Sequence, residues 1–167
     1  MFDSIGNMPL HPLVVHAVVI GSPLCVLLAF LFAYPRTRSW ARWPLALAAL
    51  GTTAAGFVAK ESGESLAGTL KLLPATAANP VSLLVAKHAM LASQLVLILV
   101  GFTVLALLNS FLVTRPARMA AGGTPRALDR ILPILLIVAA VLVMIWCFRV
   151  GDAGSRAVWN PTGTQQY

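Results

Sequence analysis

Four apolar blocks, separated by short polar segments, run the length of the chain. The first extends over about 11–34. Pro12 suits a first helical turn, where its missing N–H costs nothing, and Tyr34-Pro35 closes the block because a residue before proline disfavours helix. The second begins near Pro44 and is apolar to Ala59. Continued as helix through Lys60, Glu61 and Glu64, it covers about 44–64 and pairs Lys60 with Glu64 at i,i+4. Asn79-Pro80 supplies an N-cap and a first-turn proline for a third helix over about 81–113. The fourth block covers about 131–150. About 20 apolar residues cross a bilayer. The pattern predicts an all-α fold, a four-transmembrane-helix bundle forming one domain over 1–160, with a mobile tail at 161–167.

Composition agrees. Charged residues make up 10% of the chain and the mean hydropathy is +0.86, whereas a soluble domain carries roughly 25% charged residues. Most of the chain is therefore expected to meet the lipid bilayer. The net charge of +7 would suggest nucleic acid in a soluble protein, but no nucleic-acid-binding signature is present and no nucleic-acid partner is expected. Loops 35–43 and 114–130 hold seven of the twelve Lys/Arg, and the N-terminal segment holds none. By the positive-inside rule those loops are cytoplasmic, both termini lie on the outer side, and the chain sits in the plasma or inner membrane. Without a basic n-region the first block reads as a retained span, not a signal peptide.

Trp40 and Trp43, beside Arg38 and Arg42, read as interfacial anchors in the first loop. The second block is built of small residues, with Gly51 and Gly56 among alanines and threonines, and is expected to be the most buried helix. The segment 67–79 is expected to lie on the surface or form a short interfacial helix. Cys25 and Cys147 fall at different depths and are expected to be free packing residues.

Chemistry concentrates at the end away from the arginine loops. His11, His16, Lys60, Glu61, Glu64, Lys87, His88, Arg149, Asp152 and Arg156 fall there. His11 and His16 are about 140° apart on a helix and cannot share a face. His16, the deeper, is expected to face the interior, since ionisable groups avoid lipid. In one reading His16 and His88 present imidazoles to a haem iron or a metal. In the other both are structural hydrogen-bonding residues and His11 is an interfacial cap. Lys60, Glu61 and Glu64 form either a cation or proton site or a solvated helix end. Asp152 either pairs with Arg156 or orients a histidine through its second nitrogen. The chain lacks a phosphate-binding glycine loop, a nucleophile elbow, zinc-helix and paired-cysteine motifs, and any repeat suggesting an inverted-topology transporter.

The opening His11-Pro-Leu-Val-Val-His16, the late glycines Gly51 and Gly56 of the second block, His88, and the tail Gly151-Asp-Ala-Gly154 together resemble a family of small bacterial four-span proteins, domain of unknown function 2231. The resemblance covers His11 to Trp159. It implies four spans and carries no activity with it. Many members have histidine after the first tail glycine, where this chain has Asp152. Three functions are consistent with the residues. The first is a non-catalytic accessory or assembly subunit of a larger membrane complex, such as a respiratory one, or a homo-oligomer. The second is an electron-transfer protein holding haem b or a metal through His16 and His88, with His11 supporting and Gly21 and Gly56 making room for a macrocycle. The third is a proton or cation pathway through His16, His88 and Glu61.

Overall fold

The protein is described from a computed structural model covering residues 4–5, 8–72, 79–113 and 127–164. A two-residue antiparallel ladder, β1 (Ser4–Ile5) with β2 (Met8–Pro9), precedes the first helix. Among the described residues four helices follow: α1 (Leu10–Ala33), α2 (Arg38–Thr69), α3 (Pro80–Leu112) and α4 (Leu128–Trp159). Each packs mainly against two others, in the closed order α1, α2, α3, α4 and back to α1. Thus α1 and α3 stand diagonally opposite.

Helices α1, α3 and α4 are long and apolar enough to cross a membrane. Their outward surfaces are oily: Leu97 and Phe148 are 72% and 76% exposed. Helix α2 falls outside that group because alanine, glycine and threonine dilute its hydropathy. It is also no more buried than α3, contrary to expectation, since in a closed ring every helix has two neighbours and one outer face.

Two helices are longer than their apolar blocks. Arg38 to Trp43, expected in a loop, form the first turns of α2, and the connection shrinks to four residues, 34–37. Pro44 sits inside α2 instead of opening it. Helix α4 likewise continues past Val150 to Trp159. Polar residues do not end a helix by themselves, and neither continuation meets a stop signal before a turn, at Leu70 and at Asn160. Asn79 caps α3 as expected, its Oδ1 accepting from the amides of Val81 and Ser82. Of the segment expected on the surface, α2 takes 67–69 and a turn takes 70–72, with Lys71 at φ 54°. Residues 73–78, most of the 114–130 loop, and the end of the expected mobile tail lie outside the described residues.

The hairpins α1/α2 and α3/α4 repeat one another. The buried seam of α1 is Val18, Ser22, Cys25, Ala29 and Phe32; that of α3, at the same spacing, is Leu95, Leu99, Phe102, Ala106 and Asn109. Helices α2 and α4 match in the same way: Arg38, Ala41, Leu45, Ala49 and Thr52 fall in register with Asp129, Leu132, Leu136, Ala140 and Val143, all buried. The α1 and α3 seams alternate steps of four and three, as in coiled coils, and those of α2 and α4 mix the same two steps. The two halves run in the same direction and are related by a pseudo-twofold along the helix axes.

Side-chain hydroxyls add to the packing. Thr53 and Thr103 hydrogen-bond each other at 2.8 Å, and Thr103 donates to the carbonyl of Ala49 at 3.1 Å, joining α2 to α3. Such bonds contribute about 0.6 kcal/mol each in lipid. Between α1 and α2 the fit is close at Gly21, where a Cβ would overlap Thr52 Oγ1 and lie 3.1 Å from Thr52 Cγ2. We expect Gly21→Ala to lower stability by about 1–3 kcal/mol through overpacking. Gly51→Ala, with nothing within 4 Å of the added carbon, is expected to be neutral or slightly stabilising. Thermal unfolding of the two variants in detergent checks the contrast.

Candidate functional site

The repeat seams, read back toward the helix starts, reach His11 and His88. Each lies seven residues before the first buried seam residue of its helix, Val18 and Leu95. The imidazoles therefore turn inward and meet across the diagonal. Their ring centroids are 6.2 Å apart and their planes are 87° to each other.

Each ring is held by the other helix of its own hairpin, in the same manner. His11 Nδ1 donates to the carbonyl of Ala59 on α2 at 2.7 Å. His88 Nδ1 donates to the carbonyl of Val150 on α4 at 3.0 Å. Four residues beyond each carbonyl stands a glycine, Gly63 and Gly154. A Cβ at Gly63 would lie 2.8 Å from His11 Nδ1 and Cε1, and one at Gly154 would lie 3.0 Å from the same atoms of His88. The glycines are what let the rings lie flat against α2 and α4. The local sequences correspond: Phe57-Val-Ala59-Lys-Glu61-Ser-Gly63 and Phe148-Arg-Val150-Gly-Asp152-Ala-Gly154 share an aromatic, a carbonyl-bearing small apolar residue, an acid, a small residue and the glycine in register.

The carbonyl can only accept, so both rings carry hydrogen on Nδ1, which leaves Nε2 as the atom that bears the lone pair in a neutral imidazole. This is the arrangement in which metal-binding histidines are usually found, with the second nitrogen fixed by a carbonyl or carboxylate. An ion bound at about 2.0–2.1 Å from each Nε2, with the bonds near collinear, separates the two centroids by about 6 Å. The observed centroid spacing of 6.2 Å is of that size. Among the described residues no group of three or more His, Cys, Asp or Glu is arranged to hold a metal.

The other residues singled out from the sequence fall elsewhere. His16 is exposed on the outer face of α1, with Nδ1 donating to the carbonyl of Pro12 at 2.6 Å. The expected pairing of His16 with His88 gives way to His11 with His88. The reason is rotational: with His11 on the inner seam, a residue about 140° further round must point away. Gly21 and Gly56 make no space for a macrocycle. The first is closed by Thr52 and the second by Leu99 and Val96, so both serve helix contacts. Lys60 pairs with Glu64 at 2.7 Å and with Glu61 at 3.4 Å at the partly exposed end of α2. Asp152 pairs with Arg156 at 2.9 Å, and orienting His88 falls to a backbone carbonyl instead. Lys87 is exposed, and exposed Arg149 lies over the Trp146 ring at 5.0 Å. Cys25 is buried and hydrogen-bonded to Thr52, and both cysteines are free. What the sequence reading missed is the doubled Phe-to-Gly stretch, which names the two carbonyls and the two glycines that seat the rings.

Nothing among curated proteins matches the chain, and no solved structure does. The family model described as "Predicted membrane protein (DUF2231)" matches residues 7–165. That span includes all four helices, both histidines of the inward pair and both halves of the repeat, and the chain is a member of this DUF2231 family of membrane proteins.

Proposed function

We propose that this membrane protein holds one transition-metal ion between Nε2 of His11 and Nε2 of His88, near the outer face of a bundle in which all four helices span the bilayer. The observation that carries the reading is the paired imidazoles, each with Nδ1 committed to a carbonyl and Nε2 left as the ligand atom. Imidazole suits copper, iron and zinc. Near-collinear ligation by two nitrogens is a geometry that copper(I) adopts readily, which favours copper. A bare ion is favoured over haem b because the glycines that would admit a macrocycle are filled by side chains. The reading is compatible with an accessory or assembly role, in which a small subunit carries a metal to or within a larger membrane complex.

The test is elemental analysis and absorption spectroscopy of the detergent-purified protein, expressed with ample haem and copper. Stoichiometric metal without a Soret band supports the bare ion. A Soret band with sharpened bands on reduction replaces it with a bis-histidine haem. Protein that stays metal-free after incubation with copper(I), zinc(II) and iron(II) refutes both.

For the topology, α2 carries no charged residue from Trp43 to Ala59, within the length a short span needs. Its mid-helix outer face is apolar, with Leu47 and Leu50 exposed. It packs between two apolar helices, α1 and α3. Arg36, Arg38, Arg42 and Arg130 gather at the end opposite the histidines, which supports a cytoplasmic position for that end and outward termini. In a Cys25→Ala/Cys147→Ala background, Ser39→Cys and Ser65→Cys are expected to react with an impermeant maleimide from opposite sides. Labelling from one side would mean that α2 does not cross.

A further inference from the structure

At the arginine end a cleft of about 230 Å³ opens between the start of α2 and the end of α3. Arg38, Ser39, Arg42 and Trp43 line it from α2, and Asn109 and Ser110 from α3. Two polar atoms there are buried without a partner: Arg42 Nε, a donor, and Asn109 Oδ1, an acceptor. Asn109 is fully buried, and its other amide atom is committed, Nδ2 donating to the carbonyls of Leu105 and Leu132 at 2.9 and 3.0 Å. Ser110 is committed as well, its hydroxyl donating to the carbonyl of Arg42. Arg38 donates to the carbonyls of Phe32 and Ala33, with the charge of Asp129 close by.

Leaving a buried donor or acceptor unpaired costs about 1–3 kcal/mol, so two in one cleft call for an occupant that satisfies both. The occupant has to accept from an arginine N–H and donate to an amide oxygen. An anion suits the cleft best, because the donor is part of a guanidinium cation and Arg42 Nε has no hydrogen-bond partner among the described residues. A phosphate group bearing or adjoining a hydroxyl meets all three demands. The volume holds roughly seven waters and so has room for it. The walls favour a lipid over free phosphate, since Phe32 and Val113 line the same cleft and the neighbouring outer surface of Trp43 and Phe111 is apolar and exposed.

We propose that this cleft binds the headgroup of an anionic, hydroxyl-bearing glycerophospholipid. The phosphate accepts from Arg42, and a headgroup hydroxyl donates to Asn109 Oδ1. The site is at the far end from the histidine pair and does not depend on what that pair binds.

The test uses delipidated full-length protein in neutral detergent. Thermal unfolding and native mass spectrometry are recorded with phosphatidylglycerol, with phosphatidylcholine, and with inorganic phosphate alone. Phosphatidylglycerol is expected to stabilise the protein and remain bound with about tenfold preference over phosphatidylcholine. Arg42→Gln is expected to abolish the preference. Arg36→Gln, which removes an equal charge from a residue hydrogen-bonded to the Tyr34 hydroxyl outside the cleft, is expected to keep it. Unfolding of each variant in phosphatidylcholine shows that it is folded. Stabilisation by inorganic phosphate that is lost in Arg42→Gln would keep the anion site and overturn the lipid as its source. Equal responses to both lipids, or equal losses in both variants, would overturn the site itself.

Discussion

His88→Ala and His11→Ala are each expected to lose the metal ion proposed for the histidine pair, while His16→Ala is expected to keep it. The expected fall in affinity is more than about hundredfold, since removing even a residue that merely orients a ligand costs 10–100-fold. Each loss has a structural side effect, because the carbonyl of Ala59 or Val150 loses the imidazole as one of its donors, at about 1 kcal/mol. Glutamine separates the two roles. His88→Gln can still donate to Val150 but presents no imidazole nitrogen, so it is expected to keep its unfolding temperature and lose its metal. Elemental analysis and thermal unfolding on the same preparations read both. Retention of metal by His11→Gln and His88→Gln would make the pair a packing contact. Loss in His16→Ala alone would return the site to the outer face of α1.

Asp129→Ala is expected to be the most destabilising single change at the arginine end. Arg38 and Asp129 are 8% and 6% exposed, and the aspartate's charge bears on the guanidinium. Removing the aspartate leaves the buried guanidinium without this nearby opposite charge, at up to about 3 kcal/mol, below the cost of breaking a directly bonded pair. Arg38 would keep the carbonyls of Phe32 and Ala33 and its place over the Phe32 ring. Asp129→Asn should cost nearly as much, because shape is kept and charge is lost. The double variant Arg38→Met/Asp129→Leu should recover most of the loss, since hydrophobic replacement of a whole buried pair is often neutral or better. Unfolding in detergent of Arg38→Met, Asp129→Leu and the double variant closes the cycle. If the loss in the double variant equals the sum of the two single losses, the residues act independently.

The four helices were legible because apolar blocks of the right length are hard to place anywhere but in lipid. Their polar ends were not. Arg38 to Trp43 and Gly151 to Trp159 carry charges, tryptophans and glycine, which mark an interface but do not stop a helix. For the site, the depth argument selected His16 and the rotation argument separated it from His11. Together they put His16 on the inner face and turned His11 away, the reverse of what the structure shows. The seam selects the inward pair, since stepping back seven residues from Val18 and from Leu95 reaches His11 and His88. The repeat escaped notice because its halves share a spacing more than an alphabet. Ser22 answers to Leu99, Thr52 to Val143 and Arg38 to Asp129, and only their common burial reveals the correspondence.

That last correspondence bears on how the halves choose each other. Related hairpins with interchangeable seams could in principle assemble first half with first half, or second with second. Because Arg38 and Asp129 occupy equivalent positions, the first assembly would bury two guanidinium groups at the arginine end, and the second two carboxylates. Only the mixed assembly neutralises itself. A buried charge of opposite sign in each half therefore biases pairing toward unlike halves and against swapped pairings between neighbouring chains.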